Sequence, residues 1–561
     1  MPRWPPSAGC LGYCTNRSTP WQGKPFKGWG GDAGPTLTLF KPACLLFKYS
    51  VQFSTLILIK CAMANWQFYG RRSTLAQLRD RLHRPEWFFC RIQGRRRIGK
   101  TTLLRELTQG DLAVASRLFY VQIPNSSQTD VANQFRRALL DFPSPVAQNL
   151  ATKVIDFASM ARAIAEMNRA GIIVVLDEFQ YFTSPQLVAF NSFLQAEVDL
   201  LRDSSTGGLF VLGSLQAEMS ALLDDKAAPL YGRLTHSYRI DHWDFEDLLH
   251  VFRSQGLDNP YQWLLLWTYF EGVPKYYRDA HGQGLFDVPA DELRNQLLER
   301  LFLSEGSPLS EEADTSFLRE LRGQLLSILN FVAEHPGCGH NELVSTLTSA
   351  AETGHSLGAQ LKRLVDDYRM IDRRHPVFSN SHSRNARYYV ADNFLQAWIS
   401  VIRPARDTAR LQPLHRVLEK AKQRSETLEG VAFEKLIKQL HIECSRKGVG
   451  NFPLTSIEVG FWNRPRSADR LIEIDVLALN SDDRRVRFGS CKRSASAHCN
   501  ASVAALENQI AGFMSTAEGR KLEGWEIEKV LFSPQFTPDQ IAGFEKAGYV
   551  CFDLPAYAKL F

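Results

Sequence analysis

The pattern G-x-x-x-x-G-K-T at residues 94–101 is the feature with the most specific chemistry in this sequence. An apolar segment, residues 86–93, precedes the pattern, and an amphipathic segment begins at Thr101. This order predicts a strand, a loop and a helix that together bind a phosphate chain through backbone N–H groups. Lys100 would reach the β- and γ-phosphates, and the Thr101 hydroxyl would be a ligand of Mg²⁺. The residues expected at the phosphates are Gly94, Arg95, Arg96, Arg97, Ile98, Gly99, Lys100, Thr101 and Thr102.

Two acids directly follow a second apolar segment, residues 171–176. Its aliphatic residues predict a strand that is buried on both faces, and the carboxyl ends of parallel strands lie beside a phosphate site. Asp177 is therefore a candidate ligand in the Mg²⁺ shell. Glu178 is a candidate base that takes a proton from the attacking water. In the alternative interpretation, the two acids only cap a helix.

Three further signals near this site are less specific. Ser214 follows a third predicted strand, residues 208–213, where it would orient water or sense the γ-phosphate, or else cap the next helix. Arg233 is a candidate arginine finger, in cis or in trans, with a surface ion pair as the alternative. The three loop arginines either contact phosphate or face solvent. The alternation of strands and helices from 86 to 240 predicts an α/β fold with a parallel, doubly wound sheet.

The net charge of +6 originates in the first 62 residues. They hold seven of the 66 basic and one of the 60 acidic side chains, so the other 499 residues carry 59 of each. Overall charge therefore gives no indication of a polyanionic partner, and DNA contact would need local patches. The apolar stretch 51–59 is too short for a bilayer and too far from the N-terminus for a signal peptide. With scattered cysteines, the sequence predicts a cytoplasmic protein without a zinc site.

Residues 1–62 differ in character from the rest of the chain. They contain four of the ten cysteines and seven of the 26 prolines, and they show no sustained hydrophobic period. Met63 is the second methionine, and globular patterning begins directly after it. We interpret 1–62 as an upstream extension without a fold and expect the functional protein to begin at Met63.

The segment 315–402 is predicted to form a winged helix-turn-helix. An amphipathic helix is expected at 317–334, followed by two shorter helices and a hairpin built from 370–378 and 387–390. Winged helices also serve as internal packing modules, so both DNA contact and internal packing remain open. The charged stretch 403–424 is predicted to be a linker. The basic side chains that could meet DNA phosphates are Lys362, Arg363, Arg373, Arg374, Arg384 and Arg387.

The last segment resembles the PD-(D/E)xK nuclease fold. Glu434 lies on a predicted helix, Asp475 in an apolar strand and Lys492 at the end of the next strand. The resemblance implies that the two acids hold a divalent metal, aided by the Cys491 carbonyl, while Lys492 positions the attacking water. Ser490 departs from the pattern, which has an acid two residues before the lysine, and serine is a poor Mg²⁺ ligand. The alternatives are a domain that binds without cutting, or purely structural roles for Asp475 and Lys492.

Six motifs resemble those of archaeal and bacterial AAA+/STAND-type ATPases that carry a C-terminal DUF234 domain. They are 68–71 (FYGR), 94–101 (GRRRIGKT), 176–182 (LDEFQYF), 212–214 (LGS), 229–233 (PLYGR) and 271–277 (EGVPKYY). The resemblance spans nearly all of 63–561 and implies ATP as the ligand. It assigns Walker A to 94–101, Walker B to Asp177 and Glu178, and a sensor to Ser214. It also implies a helical lid whose segment 272–274 responds to the nucleotide.

The expected function is binding and Mg²⁺-dependent hydrolysis of ATP, coupled to a C-terminal module that binds or processes DNA. The alternative is a STAND-type signalling switch or scaffold with an inactive nuclease-like domain. ATP, Mg²⁺, DNA and further copies of the chain are the expected ligands and partners, without a membrane. The expected segments are an unstructured extension (1–62), a P-loop ATPase core (63–245), a helical lid (246–314), a winged helix (315–402), a linker (403–424) and a restriction-endonuclease-like α/β domain (425–561).

Overall fold

A computed structural model of the chain describes residues 66–202, 206–347, 354–379, 385–463 and 471–561. The extension at 1–62 and Arg384 therefore lie outside the described residues. No helix of the described part is long and apolar enough to cross a membrane.

The first sheet has five strands in the spatial order β2-β3-β4-β1-β5, and every neighbouring pair is parallel. This arrangement confirms the prediction of an α/β fold with a parallel sheet. Because all five strands run in one direction, their carboxyl ends meet at a single edge. The strands are β1 (Phe88–Gln93), β2 (Leu118–Gln122), β3 (Ile173–Asp177), β4 (Gly208–Gly213) and β5 (His236–Arg239).

Helices connect these strands and cover both faces of the sheet. Alternate side chains of β4 enter two different apolar clusters, with Phe210 and Leu212 on one face and Leu209 and Val211 on the other. This period of two is what a strand buried on both faces requires. The helices are α1 (Arg72–His83), α2 (Lys100–Thr108), α3 (Leu112–Ala115), α4 (Gln128–Asp141), α5 (Pro145–Ala151), α6 (Phe157–Arg169), α7 (Phe190–Leu201) and α8 (Gln216–Leu223), with a 3₁₀ turn at Phe179–Thr183.

A group of helices follows the first sheet and packs on one of its faces. The second member, α10, buries ten of its eleven residues, because it is apolar on every side. The helices are α9 (Phe245–Ser254), α10 (Pro260–Phe270), α11 (Pro274–Gly282), α12 (Leu293–Leu298) and α13 (Glu312–Ser316), with a π-helical turn at Glu299–Leu303.

The middle of the chain contains three helices and a small antiparallel sheet. The helices are α14 (Gln324–Glu334), α15 (His340–Leu347) and α16 (Gly354–Lys362), followed by a π-helical turn at Arg363–Asp367. The sheet has the order β6-β8-β7, from β6 (Cys338–Gly339), β7 (Ile371–Arg374) and β8 (Arg387–Val390). The predicted helix at 317–334 begins only at Gln324. Gly323, with φ of 56°, interrupts the helical backbone, and only a 3₁₀ turn, Leu318–Glu320, precedes it.

Residues 403–424, expected to be a linker, are largely helical instead. They form α18 (Arg403–Ala409) and the first part of α19 (Leu414–Lys447), after α17 (Asn393–Ala397) and a π-helical turn at Trp398–Ile402. The charged residues of this stretch are good helix formers, and α19 buries an apolar stripe that includes Val417, Ala421 and Leu428. The 34 residues of α19 span about 51 Å and connect the preceding helices with the last domain.

The last domain is built on a second sheet with the order β11-β12-β13-β14, in which only the first pair is antiparallel. The apolar strand predicted at 471–479 is divided at Asp475, because β10 pairs with β9 while β11 pairs with β12. The strands are β9 (Phe461–Trp462), β10 (Glu473–Ile474), β11 (Val476–Asn480), β12 (Arg485–Cys491), β13 (Glu526–Ser533) and β14 (Val550–Asp553). The remaining elements are a 3₁₀ turn (Ala495–Ala497), α20 (Asn500–Met514), α21 (Ala517–Arg520), α22 (Pro538–Lys546) and α23 (Leu554–Ala558).

One continuous apolar cluster joins the two sheets through the helices between them. It includes Phe210 and Leu212 of β4, Leu436 of α19, and Val476 of β11. Only the outer faces of the two sheets have separate clusters. The first sheet and the last domain are therefore held together by a shared interior and not by a flexible connection.

We predict that Glu443→Gln stabilises the protein at pH 8. Glu443 is buried where α19 meets α9, and its carboxylate accepts a hydrogen bond from Phe245 N at 2.9 Å. Burial raises the pKa of Glu443 to about 7. The protonated side chain therefore stabilises the folded state fully below the unfolded-state pKa near 4.5, and this stabilisation is lost as the pH rises through 7. The free energy of unfolding should rise by on the order of 1–3 kcal/mol at pH 8, with little change at pH 5.

Thermal unfolding of the variant and wild type at the two pH values measures this effect. Glu419→Gln, at an exposed position of the same helix, is the matched control and should leave the melting temperature unchanged at both pH values. A lower melting temperature for Glu443→Gln at pH 8 would show that the charged carboxylate stabilises the contact.

Candidate functional site

The phosphate loop, defined as residues 94–101, connects β1 with α2 at the carboxyl edge of the first sheet. Two of its positions require glycine. A Cβ on Gly94 would lie 2.4 Å from the Ile240 carbonyl oxygen, and Gly99 has φ of 90° directly before the helix. The loop therefore lies against β5 and turns into α2 with its N–H groups at the helix N-terminus, as phosphate binding requires.

Lys100 is the first residue of α2 and its side chain turns back into the phosphate loop. Its Nζ donates hydrogen bonds to the carbonyl oxygens of Gly94 at 2.6 Å and Arg95 at 3.0 Å. Burial lowers the pKa of Lys100 to about 8, although the nearby carboxylates of Asp177 and Glu178 act in the opposite direction. The ammonium is thus charged at neutral pH but poorly solvated, and an anion in the loop would stabilise it.

Asp177 lies at the end of β3, opposite Thr101. One of its oxygens, Oδ2, accepts hydrogen bonds from the Thr101 hydroxyl at 3.1 Å and from the Tyr120 hydroxyl at 2.7 Å. Its other oxygen accepts from the backbone N–H of Glu178 at 2.8 Å. A hydroxyl and a carboxylate in contact are hard oxygen donors that suit Mg²⁺, so these residues fit the implied ion. Tyr120 extends from β2, and sequence reasoning missed it because nothing in its segment marks a polar site.

Glu178 has a left-handed backbone, with φ of 58°, and its carboxylate lies between two polar side chains. Its Oε2 accepts a hydrogen bond from Ser214 Oγ at 3.2 Å and another from the Gln180 amide nitrogen. Gln180 Oε1 in turn accepts from the Ser214 backbone N–H at 3.3 Å. The structure therefore brings the predicted base and sensor into contact. Sequence reasoning missed Gln180, although it belongs to the LDEFQYF motif.

Arg233 lies away from this group of residues. Its guanidinium forms a two-bond ion pair with Asp199, at 2.7 and 2.8 Å. It precedes β5, and Thr235 N donates to the carbonyl of Phe89 at the start of β1, whereas the phosphate loop follows the end of β1. Arg233 is therefore at the edge of the sheet opposite Lys100 in the same chain. A role as an arginine finger stays a prediction, and this position leaves it only the trans arrangement.

Two of the three loop arginines bind buried acids of the C-terminal half. Arg95 pairs with Asp392, stacks on the Phe317 ring at 4.1 Å and lies 3.2 Å from His242 Nε2. Arg97 pairs with Glu312, whose side chain is only 2% exposed. Burial lowers the pKa of Arg95, but attraction to the charge of Asp392 acts in the opposite direction, and the pKa is raised overall. The loop backbone is thus joined to the helices that follow the first sheet.

The other members of the phosphate loop have simpler surroundings. The carbonyl of Ile98 accepts a hydrogen bond from Arg71 Nη2 at 2.7 Å, and Thr102 is half-buried in the first turn of α2. Arg96 has no ion pair or side-chain hydrogen bond among the described residues. Contact of the arginines and Thr102 with phosphate stays a prediction.

A buried charged group, which we call the central cluster, lies behind the loop. It consists of His242, Glu271, Asp392 and Lys435, with Asn393. Lys435 Nζ is 2.9 Å from Glu271 Oε1 and 2.8 Å from Asn393 Oδ1, and Asn393 N donates to Glu271 Oε2 at 3.0 Å. Burial alone would raise the pKa of Glu271, but Lys435 and His242 hold it well below its usual range.

The central cluster has the composition of a metal site but already contains its own cations. Ligand atoms of His242, Glu271 and Asp392 lie within 4.8 Å of one another. Lys435 neutralises Glu271 and Arg95 neutralises Asp392, so the two acids have no charge left for an ion. We therefore interpret the cluster as a structural connection. Sequence reasoning missed it because its members are separated by up to about 190 residues.

The residues predicted for a nuclease-like site converge in the last domain. Asp475 Oδ2 accepts hydrogen bonds from Cys491 N at 2.8 Å and Ser490 Oγ at 3.4 Å. Burial raises the pKa of Asp475 to about 6, the charge of Glu434 adds to this rise, and Lys492 opposes it. Glu434, Asp475 and Lys492 are thus near one another, and their roles in a nuclease-like site stay a prediction.

Glu473, on the same strand segment as Asp475, points elsewhere. It forms an ion pair with Arg387, whose guanidinium also lies 4.9 Å from the Trp462 ring centre. Glu473 therefore does not replace the acid that is missing at Ser490.

The other basic residues predicted to meet DNA have partners within the protein or face a cavity. Arg374 stacks on Tyr389 at 4.3 Å, and Arg363 lies 5.7 Å from the Tyr368 ring, while Lys362 is exposed. A cavity of about 1110 Å³ extends from the phosphate loop to β7 and α19. The side chains of Arg96, Arg369 and Arg373 line it, and the described residues offer them no ion pair or hydrogen bond.

Comparison with known proteins identifies two parts of the chain. Residues 68–278 match the model of an ATPase domain found predominantly in Archaea, and residues 398–503 match DUF234, from archaeal and bacterial proteins of unknown function. An uncharacterized protein of Methanocaldococcus jannaschii is 24% identical over 430 residues, which cover 76% of this chain and 87% of the relative.

Two solved structures are similar to part of the chain. A Walker-type ATPase of Pyrococcus abyssi has 16% identity and a TM-score of 0.44, covering 60% of this chain and 96% of the other. The ORC2 protein of Aeropyrum pernix, solved as ADPNP–ADP complexes, has 14% identity and a TM-score of 0.41, covering 65% and 96%. With the matched family models and the parallel sheet, the chain thus combines a P-loop ATPase domain with a C-terminal DUF234 domain.

Proposed function

We propose that the protein binds ATP and hydrolyses it in a Mg²⁺-dependent reaction, and that the nucleotide state controls the C-terminal half. The observation that carries this proposal is the contact of Thr101 with Asp177 and of Ser214 with Glu178 at one edge of the sheet. These contacts support the proposal, because two candidate metal ligands and a candidate base near Lys100 are what phosphoryl transfer to water requires.

Each residue of the site has a distinct role in this proposal. Lys100 exchanges its two carbonyl partners in the loop for the β- and γ-phosphates, which relieves the poor solvation of its ammonium. Thr101 and Asp177 would hold Mg²⁺, which supplies neutralisation of phosphate charge. Tyr120 orients the Asp177 carboxylate through its hydroxyl.

Glu178 is the proposed general base. With its Oε2 bound to Ser214 and Gln180, the carboxylate is held in one orientation. Ser214 and Gln180 are then positioning residues, which set where the water binds.

Coupling to the C-terminal half would pass through the loop arginines. When phosphate orders the loop backbone, Arg95 and Arg97 move with it, and their partners Asp392 and Glu312 belong to the helical half. Asp392 precedes Asn393, which binds Lys435 of α19. Buried ion pairs are costly to break, so the two halves should change together.

We propose DNA as the ligand of the C-terminal half, with a winged helix formed by α14 to α16 and the hairpin β7–β8. The support is the cavity that begins at the phosphate loop, where Arg96, Arg369 and Arg373 face open space without an acid partner. The second candidate is a switch or scaffold that assembles with further copies of the chain. Ser490 favours it, as does the location of Arg233, which could serve only a neighbouring copy.

We predict that Glu178→Gln abolishes ATP hydrolysis but retains ATP binding. The amide keeps the shape of the side chain but cannot take a proton, so kcat should fall by roughly a hundredfold or more. Steady-state phosphate release and calorimetric ATP titration measure the two properties. Glu218→Gln, on α8 at the rim of the same cavity, is the matched control and should keep kcat near wild type. Unchanged kcat in Glu178→Gln would remove Glu178 from the mechanism.

We predict that Arg95 and Asp392 act jointly on ATP binding. ATP dissociation constants of wild type, Arg95→Ala, Asp392→Asn and the double variant form a thermodynamic cycle, and Asn keeps the helix-capping ability of residue 392. The coupling free energy should be about 1 kcal/mol or more, because the pair is buried. The control pair Arg374→Ala and Asp372→Asn, which lines the same cavity without touching the loop, should show additive effects. Additive effects at Arg95 and Asp392 as well would contradict coupling through this pair.

We predict that the chain binds DNA and that Arg369→Ala with Arg373→Ala weakens this binding by roughly tenfold at low salt, through lost phosphate contacts. Fluorescence anisotropy with labelled single- and double-stranded DNA measures the affinity. Arg410→Ala, at an exposed position outside the cavity, is the control. Failure of wild type to bind either form, with ATP hydrolysis intact, would favour the switch or scaffold.

A further inference from the structure

The nuclease-like site of the last domain does not fit the divalent metal that its fold implies. A metal of this kind needs several anionic oxygens, and among the residues that the structure describes only Glu434 and Asp475 converge here. The third acid of the pattern is Ser490, which instead lies 3.4 Å from the Asp475 carboxylate through its hydroxyl. Glu473, the remaining acid on this strand segment, is bound to Arg387. The donor set is therefore one carboxylate short.

A cation of the protein itself occupies the position beside the two acids. Lys438 lies one helical turn after Glu434 on α19, and its ammonium forms an ion pair with the Glu434 carboxylate. The side chain of Lys438 is 14% exposed and that of Glu434 is 34% exposed, so the pair is partly shielded from solvent. Burial lowers the pKa of Lys438, but the charge of Glu434 acts in the opposite direction. The net effect is a rise, so the ammonium keeps its proton.

The chain opposite Lys438 leaves room for this ammonium. Gly460 has φ of 115°, and a Cβ added there would lie 3.2 Å from Lys438 Nζ and 3.0 Å from the Asp475 carbonyl oxygen. Any larger residue would thus press on the lysine or on the backbone at Asp475. Lys492 and Lys438 are both close enough to act electrostatically on the Asp475 carboxylate, so two ammonium groups balance the two carboxylates. A divalent ion would enter a pocket whose negative charge is already balanced.

We propose that the Lys438 ammonium takes the place of a divalent cation between Glu434 and the strand that bears Asp475, so that this domain does not use a metal to cleave nucleic acid. This inference concerns the last domain alone and does not depend on ATP hydrolysis. It deepens the proposed function, since a nuclease-like domain without metal can bind DNA but not activate water with an ion.

The test is Mn²⁺ binding by the full chain without nucleotide, followed by electron paramagnetic resonance and calorimetry. Wild type should show no Mn²⁺ ion that depends on Glu434 or Asp475. Lys438→Met keeps the length of the side chain and removes its charge, and it should gain one Mn²⁺ site. The affinity for Mn²⁺ should rise on the order of tenfold or more, because the substitution removes a positive charge from a half-buried pocket. The site should disappear again in Lys438→Met with Asp475→Asn.

Two comparisons exclude simpler explanations. Lys422→Met, at an exposed position of the same helix, should not gain a Mn²⁺ site. Any Mn²⁺ bound weakly by Thr101 and Asp177 is the same in all variants, so it does not affect the difference between them. Mn²⁺ binding by wild type that is lost in Glu434→Gln or Asp475→Asn would overturn the proposal, even if Lys438→Met did not fold. A folded Lys438→Met without new Mn²⁺ binding would overturn it as well.

Discussion

The buried carboxylates at the centre of the molecule set the relation between its two halves. Glu271, Glu312 and Asp392 are each less than one-tenth exposed, and each must be neutralised because an isolated buried charge costs several kcal/mol. The cations come from distant parts of the chain, Arg97 and Arg95 from the phosphate loop and Lys435 from α19. The halves can therefore separate only if these charges are paired in another way.

The phosphate loop lies at this junction, so in the proposed function a bound nucleotide would act on more than hydrolysis. Lys100 Nζ turns into the loop and donates to the Gly94 carbonyl, while the side chains of Arg95 and Arg97 pair with Asp392 and Glu312. In the proposed function, a bound phosphate would order the loop whose Arg95 and Arg97 hold Asp392 and Glu312. Since α19 contains both Lys435 and Glu434, the central cluster and the nuclease-like pocket lie on adjacent residues of one helix. This connection gives a physical path from ATP to the last domain.

The local part of the nucleotide site could be predicted from the sequence, and the structure shows why. Lys100 and Thr101 are fixed by their loop, and Asp177, Glu178 and Ser214 follow strands whose carboxyl ends must meet at one edge. Glu434, Asp475 and Lys492 also converge, because a helix and two adjacent strands form one local unit. Tyr120 and Gln180 could not be predicted, since a phenol in a strand and an amide in a short turn have no distinctive spacing.

Long-range charge pairs were beyond sequence reasoning for a different reason. Arg95 and Asp392 are 297 residues apart, and nothing in either segment identifies the partner. Residues 403–424 were misjudged because their charges suggested exposure, whereas the helix there is stabilised by an apolar stripe. Lys438 had a signal that was available, since a lysine four residues after a glutamate on a helix is a common ion pair.

Hydrogen exchange of the wild-type chain, with and without ATPγS and Mg²⁺, tests the central claim most directly. If the nucleotide acts through the loop arginines, protection should change at the phosphate loop and also at residues 392–397 and 431–442, more than 200 residues away in sequence. A change confined to the phosphate loop, β3 and residues 213–215 would contradict the account, because it would show that ATP binds without affecting α19.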